Sequence, residues 1–400
     1  MPGCTSSGSV SLLSKPRTME LSSLGDIRTP LELSQVPAGT YTGASLTVSA
    51  AHVVYVDPST SQVVEKDATI NNGTVSVTFA SPLTITATSA ETDVHLDFDL
   101  SNSFDLTNGT LTFSPVIKTA AASLDQEDDN DREVSVNGTI TAISGSTVTV
   151  QPLDGGSTVT LKLDNSTDFD DAMSLSSLQV GSVIEAEGKL QDDGSVLVSE
   201  LEAADHGDVE DSHSMGGEGV IASVSTDSNG TLTGFQMVLR RAFLSDDVAK
   251  TLTVDVTSST VFHLTRLAQR AGMPSFDASQ IFAGQTVLVS GGLNADGSIA
   301  AREIRPAAHT PNVTMATPPA QGQTSFTVAL NPNGALTRLA KISTIAVDIN
   351  NNTILEGSQL AVTGLANLAV GSPLTIRGYV GLSSGTYTLY ASHIRANSTN

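Results

Sequence analysis

The groups best placed for chemistry in this chain are carboxylates. Asp93, His95, Asp97 and Asp99 recur at every second position. On a strand that spacing sets them on one face, roughly 7 Å apart, within reach of one divalent cation. The plainer reading is a solvated outer face, because Val94, Leu96, Phe98 and Leu100 alternate with them and claim the core. These four therefore stand as weak metal candidates, and no catalytic or cofactor-binding residue is assigned. A run holding Asp125, Glu127, Asp128, Asp129 and Asp131 lacks the glycine and the distal glutamate of a calcium loop, and it reads as a charged linker. His206, Asp208, Asp211 and His213 are metal-ligand types, but zinc needs a folded frame and this stretch runs into Gly216-Gly217.

Arg240-Arg241 with Phe235 and Phe243 is the one basic and aromatic cluster, of the kind that stacks single-stranded nucleic acid. The chain carries 19 basic and 42 acidic side chains, a net charge of −23. Such a surface repels a polyanion, so no nucleic-acid partner is expected, and the arginines are expected to pair with acids such as Asp246 and Asp247. No His-Glu-x-x-His or Gly-Lys-Ser/Thr motif is present. The expectation is a protein that is not an enzyme and takes no cofactor.

The elements that would hold these groups are short Thr- and Val-rich strands. Hydrophobic residues make up 39 % of the 400, aromatic residues 4 %, and tryptophan is absent. No apolar run approaches the roughly 18 residues of a membrane-spanning helix. The lone cysteine, Cys4, permits no internal disulfide. No signal peptide is visible; Cys4 would carry a lipid anchor if it belonged to a truncated lipobox. Val63–Ile70 and Thr74–Phe79 read as a hairpin about Asn71-Asn72-Gly73, and Leu106–Phe113 as another about an Asn-Gly turn.

The strongest pattern is a threefold repeat. Leu178-Gln-Val-Gly181, Ile281-Phe-Ala-Gly284 and Leu368-Ala-Val-Gly371 align, and a second glycine follows seven residues later at Gly188, Gly291 and Gly378. Upstream, segments ending in Thr167, Thr260 and Thr353 match. Downstream, Asp193-Gly194, Asp296-Gly297 and Ser384-Gly385 mark turns. Glycine opens the first two copies, at Gly138 and Gly219. The third lacks it, and its first strand is not placed. Each copy reads as five strands with a short segment after the third. In copy two that segment, Leu264–Ala271, predicts a helix stopped by Gly272 and Pro274. Five strands in this order predict a closed OB-like barrel, which hides the edges of such strands.

The predicted fold is all-β: an N-terminal β-sandwich-like domain followed by three small five-stranded OB-like barrels. The expected boundaries are a disordered N-terminus over 1–17, a β domain over 18–122 and an acidic linker over 123–133. Barrel 1 follows over 134–204, a linker over 205–217, barrel 2 over 218–306, a Pro-containing linker over 307–323 and a divergent barrel 3 over 324–400.

The opening Gly-x-Ile strand, the Val-Gly turn and the Asp-Gly turn resemble DUF5666 domains. Thr18-Met-Glu-Leu-Ser-Ser-Leu24, Val36-Pro-Ala-Gly-Thr-Tyr-Thr42, His95-Leu-Asp-Phe-Asp99 and Ser114-Pro-Val-Ile117 resemble the DUF4382 domain, here without its usual first strands. The resemblance implies a bacterial cell-envelope or extracellular address and no reaction. The expected function is a non-enzymatic structural or interaction module whose partner is unknown, envelope polysaccharide or protein. The alternative is a carbohydrate- or small-ligand-binding surface protein using Tyr379, Tyr387 and Tyr390. A hydrolase ranks below both.

Overall fold

The computed structural model describes residues 9–13, 15–21, 36–57, 60, 62–86, 92–107, 109–123, 133–153, 155–169, 174–203, 214–242, 250–320, 322–356 and 364–396. The protein is all-β, with three closed five-stranded barrels behind an N-terminal β region.

The N-terminal strands are β1 (Gly39–Thr47), β2 (His52–Val56), β3 (Val63–Asp67), β4 (Thr69–Ile70), β5 (Thr74–Ile85) and β6 (Thr92–Phe98). A turn of helix, α1 (Leu100–Ser103), separates them from β7 (Phe104–Thr107), β8 (Thr110–Phe113) and β9 (Ile117–Ser123). They pair as β1–β5, β2–β3, β6–β9 and β4–β8–β7. The hairpin expected over 63–79 does not form. Val63–Asp67 pairs with β2, and β5 runs back along β1. Asn72 turns the chain at φ 49° without returning it on itself. The hairpin β7–β8 is present, turning at Gly109 with φ 75°.

Barrel 1 comprises β10 (Glu133–Ser144), β11 (Thr147–Pro152), β12 (Val159–Lys162), the short β13 (Asp168–Phe169), β14 (Val183–Leu190) and β15 (Val196–Ala203). Alternation drives it: along β11, Val148 and Val150 are fully buried while Thr147 and Thr149 face outward. The order is β12-β11-β10-β14-β15, and β12 closes in parallel on β15. Barrel 2 repeats it with β16 (Ser214–Thr226), β17 (Leu232–Ala242), β18 (Thr251–Asp255), β19 (Val261–Phe262), β20 (Thr286–Leu293) and β21 (Ile299–Pro306). Its helix α2 (Arg266–Ala271) is capped by Thr265, whose side chain accepts from Ala268 N–H, and ends at Gly272 with φ 104°.

Barrel 3 comprises β22 (Asn312–Thr317), β23 (Ser325–Leu330), α3 (Ala335–Arg338), β24 (Thr344–Asp348), β25 (Ile354–Glu356), β26 (Pro373–Ser383) and β27 (Thr386–Ala396). Here the expected linkers need correcting. The middle of 307–323 is β22, with Val313 and Met315 buried. Pro311 and Pro318 sit just outside the strand, where a missing N–H costs no ladder bond. The last residues of 205–217 likewise belong to β16, which pairs with β20 from Ser214 onward. Of the acidic linker expected over 123–133, Ser123 ends β9 and Glu133 begins β10; residues 124–132 and 204–213 lie outside the described residues. So do residues 1–8 of the expected loose N-terminus, while Arg17 bonds to the carbonyl of Gly155 in barrel 1.

Both glycines of each repeat have a structural reason. Gly181, Gly284 and Gly371 turn into the fourth strand at φ 96°, 97° and 88°. Each donates its N–H to the first strand, at Ile140, Ile221 and Met315 O respectively. Gly188, Gly291 and Gly378 lie at bulges where the fourth strand presses on the fifth. The matched threonines pin the turn after the third strand. Thr167, Thr260 and Thr353 donate to Val198, Ala301 and Ala391 O at 2.9, 2.8 and 2.8 Å.

Candidate functional site

The three barrels meet at a buried junction, and the fourth strands build it. Counting from the bulge glycine, Glu187 of β14, Ser290 of β20 and Arg377 of β26 are equivalent positions. Their side chains point away from their own barrels, because alternation gives Ala186, Val289 and Ile376 to the cores. Arg377 of barrel 3 pairs with Glu187 of barrel 1. Arg241 of β17 lies 2.5 Å from Glu185 Oε1 in barrel 1 and 3.5 Å from Glu218 Oε2 on its own β16. It also donates to Asn137 Oδ1 at 2.9 Å. Arg241 thus pairs with acids as expected, here Glu185 and Glu218. Asp246 and Asp247 lie outside the described residues, as does Phe243.

Burial and charge oppose each other here. Desolvation pushes Glu185 up, but the Arg241 and Arg377 guanidiniums outweigh it and hold its carboxyl below the usual range. Glu218 is pushed up by burial, Arg241 offsets only part of that, and the nearby Glu185 adds to the rise. Burial would lower Arg241, yet Glu185 and Glu218 raise it above its ordinary value. The cavity between these groups is about 20 Å³, lined by Glu185, Glu202, Glu218, Arg241, Arg305 and Arg377 with Ala307 and Ala308. That is room for a water and too little for an organic substrate.

Apolar and helical contacts reinforce the junction. Tyr379, two residues after Arg377, is 2 % exposed and lies in the core of barrel 2, with its hydroxyl 3.5 Å from Glu202 Oε1 of barrel 1. In return Phe282, from the turn before β20, enters the core of barrel 3 and stacks edge-on against Tyr387 at 4.9 Å. Arg270 at the end of α2 pairs with Asp168 of barrel 1, and its carbonyl accepts from Asn350 and Asn352 of barrel 3 at 2.8 and 3.1 Å. The arrangement fixes three barrels against one another.

The groups singled out from sequence lie elsewhere. The backbones of Asp93, His95 and Asp97 are in β6, and Asp97 is exposed. The side chains of Asp93 and His95 lie outside the described residues. Asp99 has left the strand. Its carboxylate caps α1, accepting from Asn102 N–H at 3.2 Å and Asn102 Nδ2 at 2.8 Å. Among the described residues no group of three or more His, Cys, Asp or Glu is placed to hold a metal. His206, Asp208, Asp211, His213, the run Asp125–Asp131 and Cys4 lie outside the described residues. Phe235 is buried in the barrel 2 core. Tyr379 is buried and Tyr387 is engaged with Phe282, so the three tyrosines form no open platform. Gly381-Leu382-Ser383-Ser384-Gly385 has nucleophile-elbow spacing. It is the hairpin turn from β26 to β27, with Ser384 and Gly385 at φ 49° and 79°, where an elbow needs a strand-to-helix turn. Among the described residues no helix is long and apolar enough to cross a membrane.

A family model described as a domain of unknown function, DUF5666, matches residues 137–202, 218–305 and 321–395. No curated protein matches the chain. Among solved structures, the single-stranded DNA binding protein of Thermus aquaticus is similar at 13 % identity and a TM-score of 0.17, covering 47 % of this chain and 94 % of that one. A multidomain protein with nucleic acid binding domains from Streptococcus pneumoniae is similar at 11 % identity and a TM-score of 0.15, covering 67 % and 74 %.

Proposed function

From the premise that this chain belongs to the DUF5666 family, we propose that it is a non-enzymatic structural or interaction module of the bacterial cell envelope. The observation that carries this reading is the junction. Its arginines and glutamates are spent on one another across barrel boundaries, and its cavity is water-sized. Removing a buried partner would leave an uncompensated charge, so these groups serve the assembly of three barrels into one body. The envelope address is supported by the resemblance of 18–117 to the DUF4382 domain. The acidic surface favours no nucleic-acid partner, and the arginine best placed to bind one, Arg241, is committed to Glu185.

The test is fractionation of the producing bacterium with the chain expressed from its own chromosomal start, combined with a broad hydrolase and ligand screen of the purified protein. Recovery in the envelope fraction without turnover is expected. Recovery in the cytosol would overturn the address, and saturable turnover abolished by a single side-chain change would overturn the non-enzymatic reading.

A further inference from the structure

The chain crosses from barrel 2 to barrel 3 through residues 307–310, and this crossing buries a histidine. His309 is 7 % exposed. Its main chain is clipped to barrel 3: its N–H donates to Gly378 O at 2.7 Å, and its carbonyl accepts from Gly378 N–H at 2.9 Å. Its ring is clipped to barrel 2: Nε2 accepts the N–H of Thr286, the first residue of β20, at 2.7 Å. An accepting Nε2 assigns the proton of the neutral ring to Nδ1, which lies 3.3 Å from Thr286 Oγ1. One residue therefore joins the start of the fourth strand in one barrel to the bulge of the fourth strand in the next. Gly378 stands between Arg377, which holds barrel 1, and Tyr379, which fills the core of barrel 2.

We propose that His309 is an acid-released clasp, holding barrels 2 and 3 together at neutral pH and letting them part when its ring takes a proton. A protonated imidazole has no acceptor left. It would set an N–H against the N–H of Thr286 and bury a cation without a partner. Arg240 of β17 faces it with like charge. The cavity beside Ala307 and Ala308 adds Arg241 of β17, Arg305 of β21 and Arg377 of β26, opposed by Glu218 of β16, Glu185 of β14 and Glu202 of β15. β20 contributes Thr286, which does not titrate. Burial, with Arg240 adding to it, holds the closed ring near 3, against an ordinary 6.5 once the clasp opens. Across that window each pH unit of acidification raises the open population about tenfold.

Amide hydrogen exchange on the whole chain reads this directly, with rates corrected for the intrinsic pH dependence of exchange. In the wild type, protection of Thr286, His309 and Gly378 should fall about fiftyfold from pH 6.5 to 4.5. In His309→Gln, whose Oε1 can accept the same N–H at any pH, protection should stay flat. In Glu218→Gln the wild-type slope should persist. A flat wild type, an unchanged slope in His309→Gln, or a slope lost in Glu218→Gln would each overturn the proposal. Should His309→Gln fail to fold, ring carbon shifts of the wild type decide. A neutral Nδ1–H tautomer in the closed form at pH 5 supports the clasp, and a charged ring with full protection there refutes it.

Discussion

Glu187 and Arg377 hold the same rung of the fourth strand in two different barrels, each just before its bulge glycine, and they pair with each other. The repeat has thus been turned against itself. One copy supplies the acid and another the base, on faces that in a lone barrel would meet water. Both side chains are largely buried, at 13 % and 16 % exposure. A pair in that position stabilises little over an apolar substitute but is costly to break singly.

Arg377→Met alone should therefore destabilise the junction by about 3–5 kcal/mol, as should Glu187→Leu alone. The double variant Arg377→Met/Glu187→Leu should recover most of the loss, because neither half of the pair is then left buried alone. Chemical denaturation followed at the first transition checks this. Equal, additive losses in the double variant would show that the pair does not couple.

The bulge glycines should tolerate no side chain. A Cβ at Gly188, Gly291 or Gly378 would fall inside van der Waals contact of the carbonyl oxygen of Leu197, Ala300 or Tyr390 on the paired fifth strand. Backbone cannot yield as a flexible side chain would, so each change to alanine should cost more than about 2 kcal/mol by strain. Gly292→Ala, one residue along β20 with open space around it, is the control and should cost under about 1 kcal/mol. Thermal melts of the four variants separate the cases.

Much of this was legible in the chain because it is local. The two glycines of each repeat, the pinning threonines and the capped α2 are each set by neighbours within one barrel, so spacing reveals them. The strand Asn312–Thr317 was hidden by Pro311, Pro318 and Pro319, which read as a linker although they only bracket it. The junction was not legible at all. Arg241 meets Glu185 and Arg377 meets Glu187 across long sequence separations, and nothing in either segment names its partner. The same holds for Tyr379, which looked like a surface aromatic and is a core residue of the neighbouring barrel.

That exchange of aromatics predicts coupled unfolding. Phe282 is encoded in barrel 2 and buried in barrel 3, while Tyr379 is the reverse. Phe282→Ala should cost about 3–5 kcal/mol. Exchange protection should fall in β23 and β27 of barrel 3 as well as near the mutation. Tyr379→Ala should loosen β17 and β20 of barrel 2. Loss of protection confined to the mutated residue's own barrel would show that the two cores melt independently.

The last prediction follows from Glu218, the acid that the junction satisfies least. It is buried, and the desolvation cost exceeds what Arg241 returns, so its carboxyl binds a proton more tightly in the folded chain than in the unfolded one, where the usual value is 4.5. The sign follows from linkage. Between 4.5 and the raised folded value the native state holds more protons than the unfolded state, so this group's contribution to stability is present at acid pH and lost as pH rises. Glu218→Gln keeps the shape and removes the titration. It should melt above the wild type at pH 7.5 and level with it near pH 4. Glu185 behaves oppositely, because Arg241 and Arg377 hold it below the usual range, and Glu185→Gln should melt below the wild type at pH 7.5. Paired melting curves of both variants across pH 4–8 provide the check. A Glu218→Gln variant less stable than the wild type at pH 7.5 would mean that Arg241 leans on Glu218 as strongly as on Glu185.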